Sequence, residues 1–214
     1  MTLKKPFIVS IAVVLSFVSA AVLADAYEDM VSAVKTGNTA VIRQLIAKGV
    51  AVDTSDREGT TLLSTAAAEG TIESVRTLVD ARAKLNQPNR FGETPLMMAA
   101  IRGHKQIVEF LVGKGAQLDH PGWTPLMFAA IKGHADIAKL LLTKGANVNA
   151  SSENGTTALM LAAKEGNLDT VLVLLEYNAS VNLRNLAGMT ALGVALESRR
   201  KDVAGVLLRA GAEQ

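Results

Sequence analysis

The chain has 214 residues, of which 49% are hydrophobic and 4% aromatic, with 22 basic and 20 acidic residues. It contains no cysteine, which excludes disulfides, thiol catalysis, cysteine-ligated metals and attachment as a lipoprotein. Lys4 and Lys5 account for the excess of basic charge. The remainder is neutral and has no basic run, so nucleic acid and anionic membranes are not expected as partners.

Residues 1–24 predict a secretory signal peptide. A basic start at Lys4 and Lys5 precedes the almost entirely apolar run 7–23, and small side chains favour cleavage between Ala24 and Asp25. The prediction is a periplasmic protein whose mature domain spans 25–214. A retained inner-membrane anchor is the alternative, because an apolar run of this length lies at the lower limit for spanning a bilayer.

The rest of the chain is built from copies of one unit, which is clearest in residues 93–119. Thr94 is a predicted helix N-cap, and Pro95 suits the first helical position, where its missing N–H is not needed. Gly103 is placed to end this short helix in a left-handed conformation. Apolar residues at helical spacing in 107–111 predict a second helix. Both helices are too short to be stable alone in water, so they must pack against neighbouring copies.

A threonine opens five of the copies, and a degenerate first copy precedes them. The opening residues are separated by 33, 30, 33 and 33 positions: Thr61, Thr94, Thr124, Thr157 and Thr190. A recurrence near 33 residues is typical of a solenoid, in which each repeat contacts only its neighbours.

The unit resembles the ankyrin repeat, with G-x-T-P-L followed by A-A, G-H, I-V, L-L and G-A, over residues 27–214. The resemblance implies an all-α solenoid of about six helix-turn-helix repeats, joined by long turns called fingers. The predicted repeats are 27–53, 54–86, 87–119, 120–149, 150–182 and 183–214. Polar residues in the first and last copies predict capping repeats.

Two features depart from the family pattern. The histidine that usually follows T-P-L is replaced by Ser64, Met97, Met127, Met160 and Gly193. We expect methionine packing to take the place of the usual hydrogen bond from that histidine. The fourth repeat is three residues shorter than the others, which predicts a truncated finger at 118–124.

No residue pattern predicts a catalytic, cofactor or metal site. His104 and His134 follow the glycine that ends a first helix, where the family pattern favours a structural role. The histidines lack metal-ligand spacing and show no triad partner. Several methionines could in principle bind Cu(I), but their positions favour core packing: Met97, Met98, Met127, Met160 and Met189.

In the ankyrin family, a concave groove is lined by finger residues before the threonine and by residues seven and eight after it. At the matching positions of this sequence, the resemblance implies these candidate protein-binding residues: Arg90, Phe91, Glu93, Ile101, Arg102, His120, Trp123, Ile131, Lys132 and Lys164. The apolar members predict one central patch with a charged rim, as in a binding hot spot. Alternatively, Phe91 and Trp123 fold down and fill the gap left by the short finger.

These observations predict a non-catalytic, monomeric scaffold that binds a protein partner of unknown identity. Two roles fit an exported protein of this kind. One is an immunity-type inhibitor of an envelope toxin. The other is an accessory factor that protects or matures a resident envelope enzyme, such as the catalases with which some bacterial ankyrin proteins are associated. A metal carrier or hydrolase is the remote alternative, because it would need a polar pocket with convergent titratable groups.

Overall fold

The computed structural model describes residues 20–213, which form twelve α-helices in six successive pairs. The pairs are α1 (Ala20–Thr36) with α2 (Thr39–Ala47), α3 (Leu62–Glu69) with α4 (Ile72–Asp80), α5 (Pro95–Arg102) with α6 (Lys105–Gly113), α7 (Pro125–Lys132) with α8 (Ala135–Thr143), α9 (Ala158–Glu165) with α10 (Leu168–Glu176), and α11 (Ala191–Glu197) with α12 (Lys201–Arg209). Extended pairing within these residues is limited to two isolated bridges. The predicted all-α solenoid is confirmed.

The predicted signal peptide lies largely outside the described residues, which begin at Ala20. Helix α1 passes through the predicted junction between Ala24 and Asp25. Cleavage there, and the alternative of a retained anchor, stay predictions. None of the helices within 20–213 has the length and apolar character needed to cross a membrane.

The five predicted threonine N-caps start the first helices α3, α5, α7, α9 and α11. Each is buried, has an extended backbone, and accepts a hydrogen bond from the backbone N–H three residues later. In three repeats that third residue is a buried methionine, and the Met97 sulfur also accepts from the Thr94 N–H at 3.4 Å. The expected methionine packing is therefore confirmed, and it adds to the cap in the α5 repeat.

In five of the six first helices, from α1 to α9, a C-terminal carbonyl is capped by a side chain from the next repeat. We call these contacts the carbonyl caps. They are Thr71 Oγ1 to Val34 O (3.0 Å), His104 Nε2 to Ala68 O (3.0 Å), His134 Nε2 to Ile101 O (3.3 Å), Asn167 Nδ2 to Ala130 O (2.8 Å) and Arg200 Nε to Lys164 O (3.0 Å). They satisfy acceptors that a helix end leaves unpaired. The predicted structural role of His104 and His134 is confirmed.

A second series of contacts joins successive fingers at their bases. The side chain of an Asp or Asn in one finger accepts a hydrogen bond from a backbone N–H of the next finger or, for Asn182, of Glu213 in the segment after α12. The pairs are Asp53 with Lys84 (2.9 Å), Asn86 with Gln117 (2.9 Å), Asp119 with Asn147 (3.2 Å), Asn149 with Ser180 (2.8 Å) and Asn182 with Glu213 (2.9 Å). Together with the carbonyl caps, this ladder fixes the position of each repeat relative to the next.

One continuous aliphatic core runs through the array between the helices. Leu141 of α8, at its centre, is 0% exposed. On the outer side, Lys139 of α8 donates to both carboxylate oxygens of Glu176 in α10, at 3.0 and 3.2 Å. The hydrogen bond and the negative charge of Glu176 raise the pKa of Lys139. The second helices are thus held together by packing and, at this point, by an exposed ion pair.

Candidate protein-binding groove

Five fingers connect the helix pairs, and one of them is short. We number each finger by the repeat that it enters: finger 2 (48–61), finger 3 (81–94), finger 4 (114–124), finger 5 (144–157) and finger 6 (177–190). Four of the connections have 14 residues and finger 4 has 11. The predicted truncation is therefore confirmed, and its position places it between two fingers of full length.

The three missing residues remove the tight turn at the finger tip. In fingers 2, 3 and 6 the side-chain Oδ1 of Asp56, Asn89 or Asn185 accepts two backbone N–H bonds, at 2.8 to 3.0 Å. Finger 5 closes its tip with Ser152 and Asn154 instead. In finger 4, Asp119 accepts its hydrogen bond at the base of the finger, as part of the ladder, and not at the tip. The tip of finger 4 is therefore built differently from the tips of the other fingers.

Full-length fingers that are neighbours are joined at their tips by a backbone hydrogen bond. Arg90 N–H donates to Glu58 O between fingers 3 and 2, and Leu186 N–H donates to Asn154 O between fingers 6 and 5, both at 2.8 Å. Within residues 20–213, the equivalent bonds on either side of finger 4 are missing. The tips of fingers 3 and 5 therefore stand apart over finger 4.

This separation forms a cleft of about 440 Å³. Its lining residues come from fingers 3, 4 and 5: Phe91, Gly92, Pro121, Gly122, Trp123, Ser152, Glu153 and Asn154. A second opening of about 240 Å³ lies beside it and adds Glu93 and Phe128 to the lining. Phe91 and Trp123 line both openings. Two of the predicted contact residues therefore share one site.

The two aromatic rings are held differently. Phe91 is 62% exposed, and the Arg90 guanidinium lies 4.7 Å from its ring centroid while pairing with Glu58 at 2.6 Å. Trp123 is 41% exposed and packs against Phe128, with 5.2 Å between ring centroids and 38° between the planes. Phe91 therefore does not fill the gap left by the short finger, whereas Trp123 covers part of the α7 surface and leaves the rest of its ring open.

A family model described as "Ankyrin repeats (3 copies)" matches residues 27–89, 82–152 and 145–214. These matches cover nearly the whole described chain. The chain belongs to the ankyrin repeat family. None of the curated proteins compared with it is similar. Ankyrin repeats are protein-interaction scaffolds, generally non-catalytic, and they typically bind protein partners.

Other candidate residues of this ankyrin-repeat protein lie further along the first helices. Ile101 and Ile131 are half-buried at the C-terminal ends of α5 and α7, seven residues after their N-cap threonines. At 1.5 Å per residue, seven residues place them about 10 Å beyond the finger positions. Neither lines the two openings. Phe91 and Trp123 are thus brought together, and the two isoleucines extend the same face away from them.

Of the polar candidates, only Glu93 lines one of the two openings. Glu93 is half-buried and accepts a hydrogen bond from the Asn89 amide at 2.8 Å. His120 is half-buried, with Nδ1 2.8 Å from Pro121 O. The remaining basic candidates are exposed on the surface: Arg102, Lys132 and Lys164. The ankyrin groove therefore offers aromatic, acidic and basic contacts at separate positions.

Phe128 is a lining residue that the sequence reasoning missed. It lies four residues after Thr124, a position that faces the same side as the finger, and the candidate set used only positions before the threonine and seven or eight after it. The helical period could have identified Phe128, because positions four and seven after the N-cap lie on one face of the helix. Among residues 20–213, no group of His, Cys, Asp or Glu is arranged to hold a metal ion.

Proposed function

We propose that the protein is a non-catalytic scaffold, exported to the periplasm, that binds a partner protein in the groove of repeats 2 to 5. The observation that carries this proposal is the pair of exposed rings, Phe91 and Trp123, at one cleft between fingers. Aromatic residues make up only 4% of the chain, and Trp123 is its single tryptophan. Aromatic side chains with a charged surround are where interfaces concentrate binding energy.

A preformed surface of this kind suits a folded partner. The carbonyl caps and the ladder at the finger bases tie each repeat to the next, so the first helices and fingers are held in place before a partner arrives. Binding to a surface that is already ordered avoids the entropy cost of ordering it. We therefore propose that the partner binds without large rearrangement of the repeats.

The proposed role is that of an immunity-type inhibitor, which blocks a toxic enzyme in the cell envelope. An accessory factor that protects a resident envelope enzyme would use the same surface. The two roles predict opposite effects on a partner enzyme captured from envelope extract. Addition of the ankyrin protein should abolish the activity of a toxin, whereas it should prolong the activity of a protected enzyme.

The groove is tested with Trp123→Ala on a captured partner. Truncating a buried aromatic anchor typically costs at least about 2 kcal/mol of binding free energy. We therefore expect the dissociation constant to rise roughly 30-fold or more, at about 1.4 kcal/mol per factor of ten. Isothermal titration calorimetry or surface plasmon resonance measures the change.

The matched control is Glu28→Ala, at an exposed position of α1 far along the array from finger 4. Binding should stay within about twofold of the unmodified protein, since this residue lies outside the proposed interface. Circular dichroism and thermal unfolding must show that Trp123→Ala remains folded, because Trp123 also packs on Phe128. A folded Trp123→Ala variant that binds the partner normally would place the interface on another surface.

A further inference from the structure

The cleft at finger 4 has an acidic character that the groove as a whole does not share. Its two openings are lined by Glu153 and Glu93, and none of their lining residues is Lys, Arg or His. Glu153 is exposed and forms no ion pair within residues 20–213. The negative charge in the cleft is therefore available to a positively charged ligand.

Arg90, the residue before Phe91, already forms an ion pair with a residue outside the lining of the cleft. Its guanidinium pairs with Glu58 at 2.6 Å and lies over the Phe91 ring at 4.7 Å. One cation therefore already lies against the Phe91 ring. Since Arg90 contributes no lining atom to either opening, the cleft itself retains its acidic balance.

The aromatic rings leave space between them. Phe91 and Trp123 line the same 440 Å³ cleft, yet the aromatic pair in contact among the described residues is Trp123 with Phe128, whose rings are tilted by 38°. The exposed parts of Phe91 and Trp123 are thus not consumed by contact with each other. A planar group that enters the cleft meets a lining that includes both rings and Glu153.

We propose that this cleft binds an arginine side chain of the partner protein. A guanidinium is planar, stacks on aromatic faces and forms paired hydrogen bonds with a carboxylate. Lysine offers only a compact point charge, which cannot stack in this way. The inference rests on the proposed function and names the partner group that Phe91, Trp123 and Glu153 recognise.

The single tryptophan makes the cleft directly observable. Because Trp123 is the only Trp in the chain, tryptophan fluorescence, excited selectively over the two tyrosines, reports on this site in the full-length protein. We expect acetyl-Gly-Arg-Gly-amide to produce a saturable change in emission, with a dissociation constant in roughly the millimolar range for one side chain. The matched citrulline peptide, which has the same shape without the charge, should bind at least about tenfold more weakly.

Two variants test the carboxylate at constant ionic strength. Glu153→Gln should weaken binding of the arginine peptide by about fivefold or more, because it removes a charge-assisted hydrogen bond. Glu109→Gln removes the same charge from an exposed position of α6, outside the lining residues, and should leave the affinity unchanged. Both substitutions alter exposed side chains, so both variants are expected to fold.

Four results would overturn the proposal. They are an arginine peptide with no saturable effect, a citrulline peptide that binds equally well, a lysine peptide of the same design that binds equally well, and a Glu153→Gln variant that behaves like Glu109→Gln. The test is separate from that of the groove. If the arginine peptide fails while Trp123→Ala still weakens partner binding, the groove proposal stands and the arginine inference is wrong. If the peptide binds while partner binding is insensitive to Trp123→Ala, the cleft accepts arginine and the partner binds elsewhere.

Discussion

Gly133 shows how one residue serves two neighbouring repeats. Its φ is +74°, in the left-handed region where a Cβ is disfavoured, and it ends helix α7. A Cβ built at this position would lie 2.8 Å from Asn167 Oδ1, the side chain that caps α7 from the next repeat. The backbone conformation thus favours glycine here, and the cap that packs on this position leaves little room for a Cβ.

Arg199 shows that the left-handed backbone conformation and the space taken by the cap are separate constraints. It occupies the equivalent position of the last repeat and keeps a positive φ of 57° with a Cβ present. The left-handed conformation alone therefore tolerates a side chain at this position of the repeat. Where a cap from the following repeat packs against the glycine, the available space adds a second constraint.

Gly133→Ala and Gly145→Ala provide a matched pair. Gly145 also has a positive φ, +97°, but no atom lies within 4 Å of a Cβ built there. A left-handed alanine costs about 1–2 kcal/mol in either place. We expect Gly133→Ala to lose roughly 1 kcal/mol more than Gly145→Ala in urea unfolding, because the Asn167 cap must move and its hydrogen bond is weakened. Equal losses would mean that the cap adjusts without cost.

At the scale of the helix, the second helices contribute stability through the side chains that they bury between layers. Leu141 of α8 is fully buried, and Leu142 beside it is 7% exposed. Leu172 of α10 belongs to the same class of helix but is 48% exposed. The same substitution at these two leucines therefore separates burial from helix propensity.

We expect Leu141→Ala to destabilise the protein by about 2–5 kcal/mol, through lost transfer free energy and the cavity left behind. Leu172→Ala should cost less than about 1 kcal/mol, because most of its surface is not removed from water on folding. Urea unfolding followed by far-UV circular dichroism compares the two. A loss under about 0.5 kcal/mol at Leu141 would contradict the assigned helix face.

The helices could be predicted from sequence because their signals are local. Thr94, Pro95 and Gly103 each specify a backbone conformation within a few residues of their own position. The carbonyl caps could be predicted only in part, since four residue types (Thr, His, Asn and Arg) would have to be recognised as serving one role, from Thr71 to Arg200. The cleft was not predicted, because a shorter finger says nothing about which bonds its neighbours lose.

At the scale of the whole molecule, the repeats divide the chain into units that each contact mainly the next. The stability of such an array is close to a sum of repeat and interface contributions. A change in a central repeat therefore affects both halves. For Leu141→Ala this predicts a broadened or divided unfolding transition in addition to the loss of free energy.

Export is the second prediction at this scale. A signal peptidase that cleaves between Ala24 and Asp25 would leave a mature protein that begins Asp25-Ala26-Tyr27. We expect N-terminal sequencing of the protein from a periplasmic fraction to give that sequence. A full-length species that fractionates with the inner membrane would support the anchor instead.

The carbonyl caps give the array a direction. Every cap reaches backwards, from a side chain in one repeat to a helix end in the repeat before it, as Asn167 does for α7. A ribosome releases the N-terminal repeats first. We expect the helix-end carbonyls of each emerging repeat to stay hydrated until the following repeat covers them. Folding of the array is then expected to proceed from the N-terminus, with each new repeat completing the one before it.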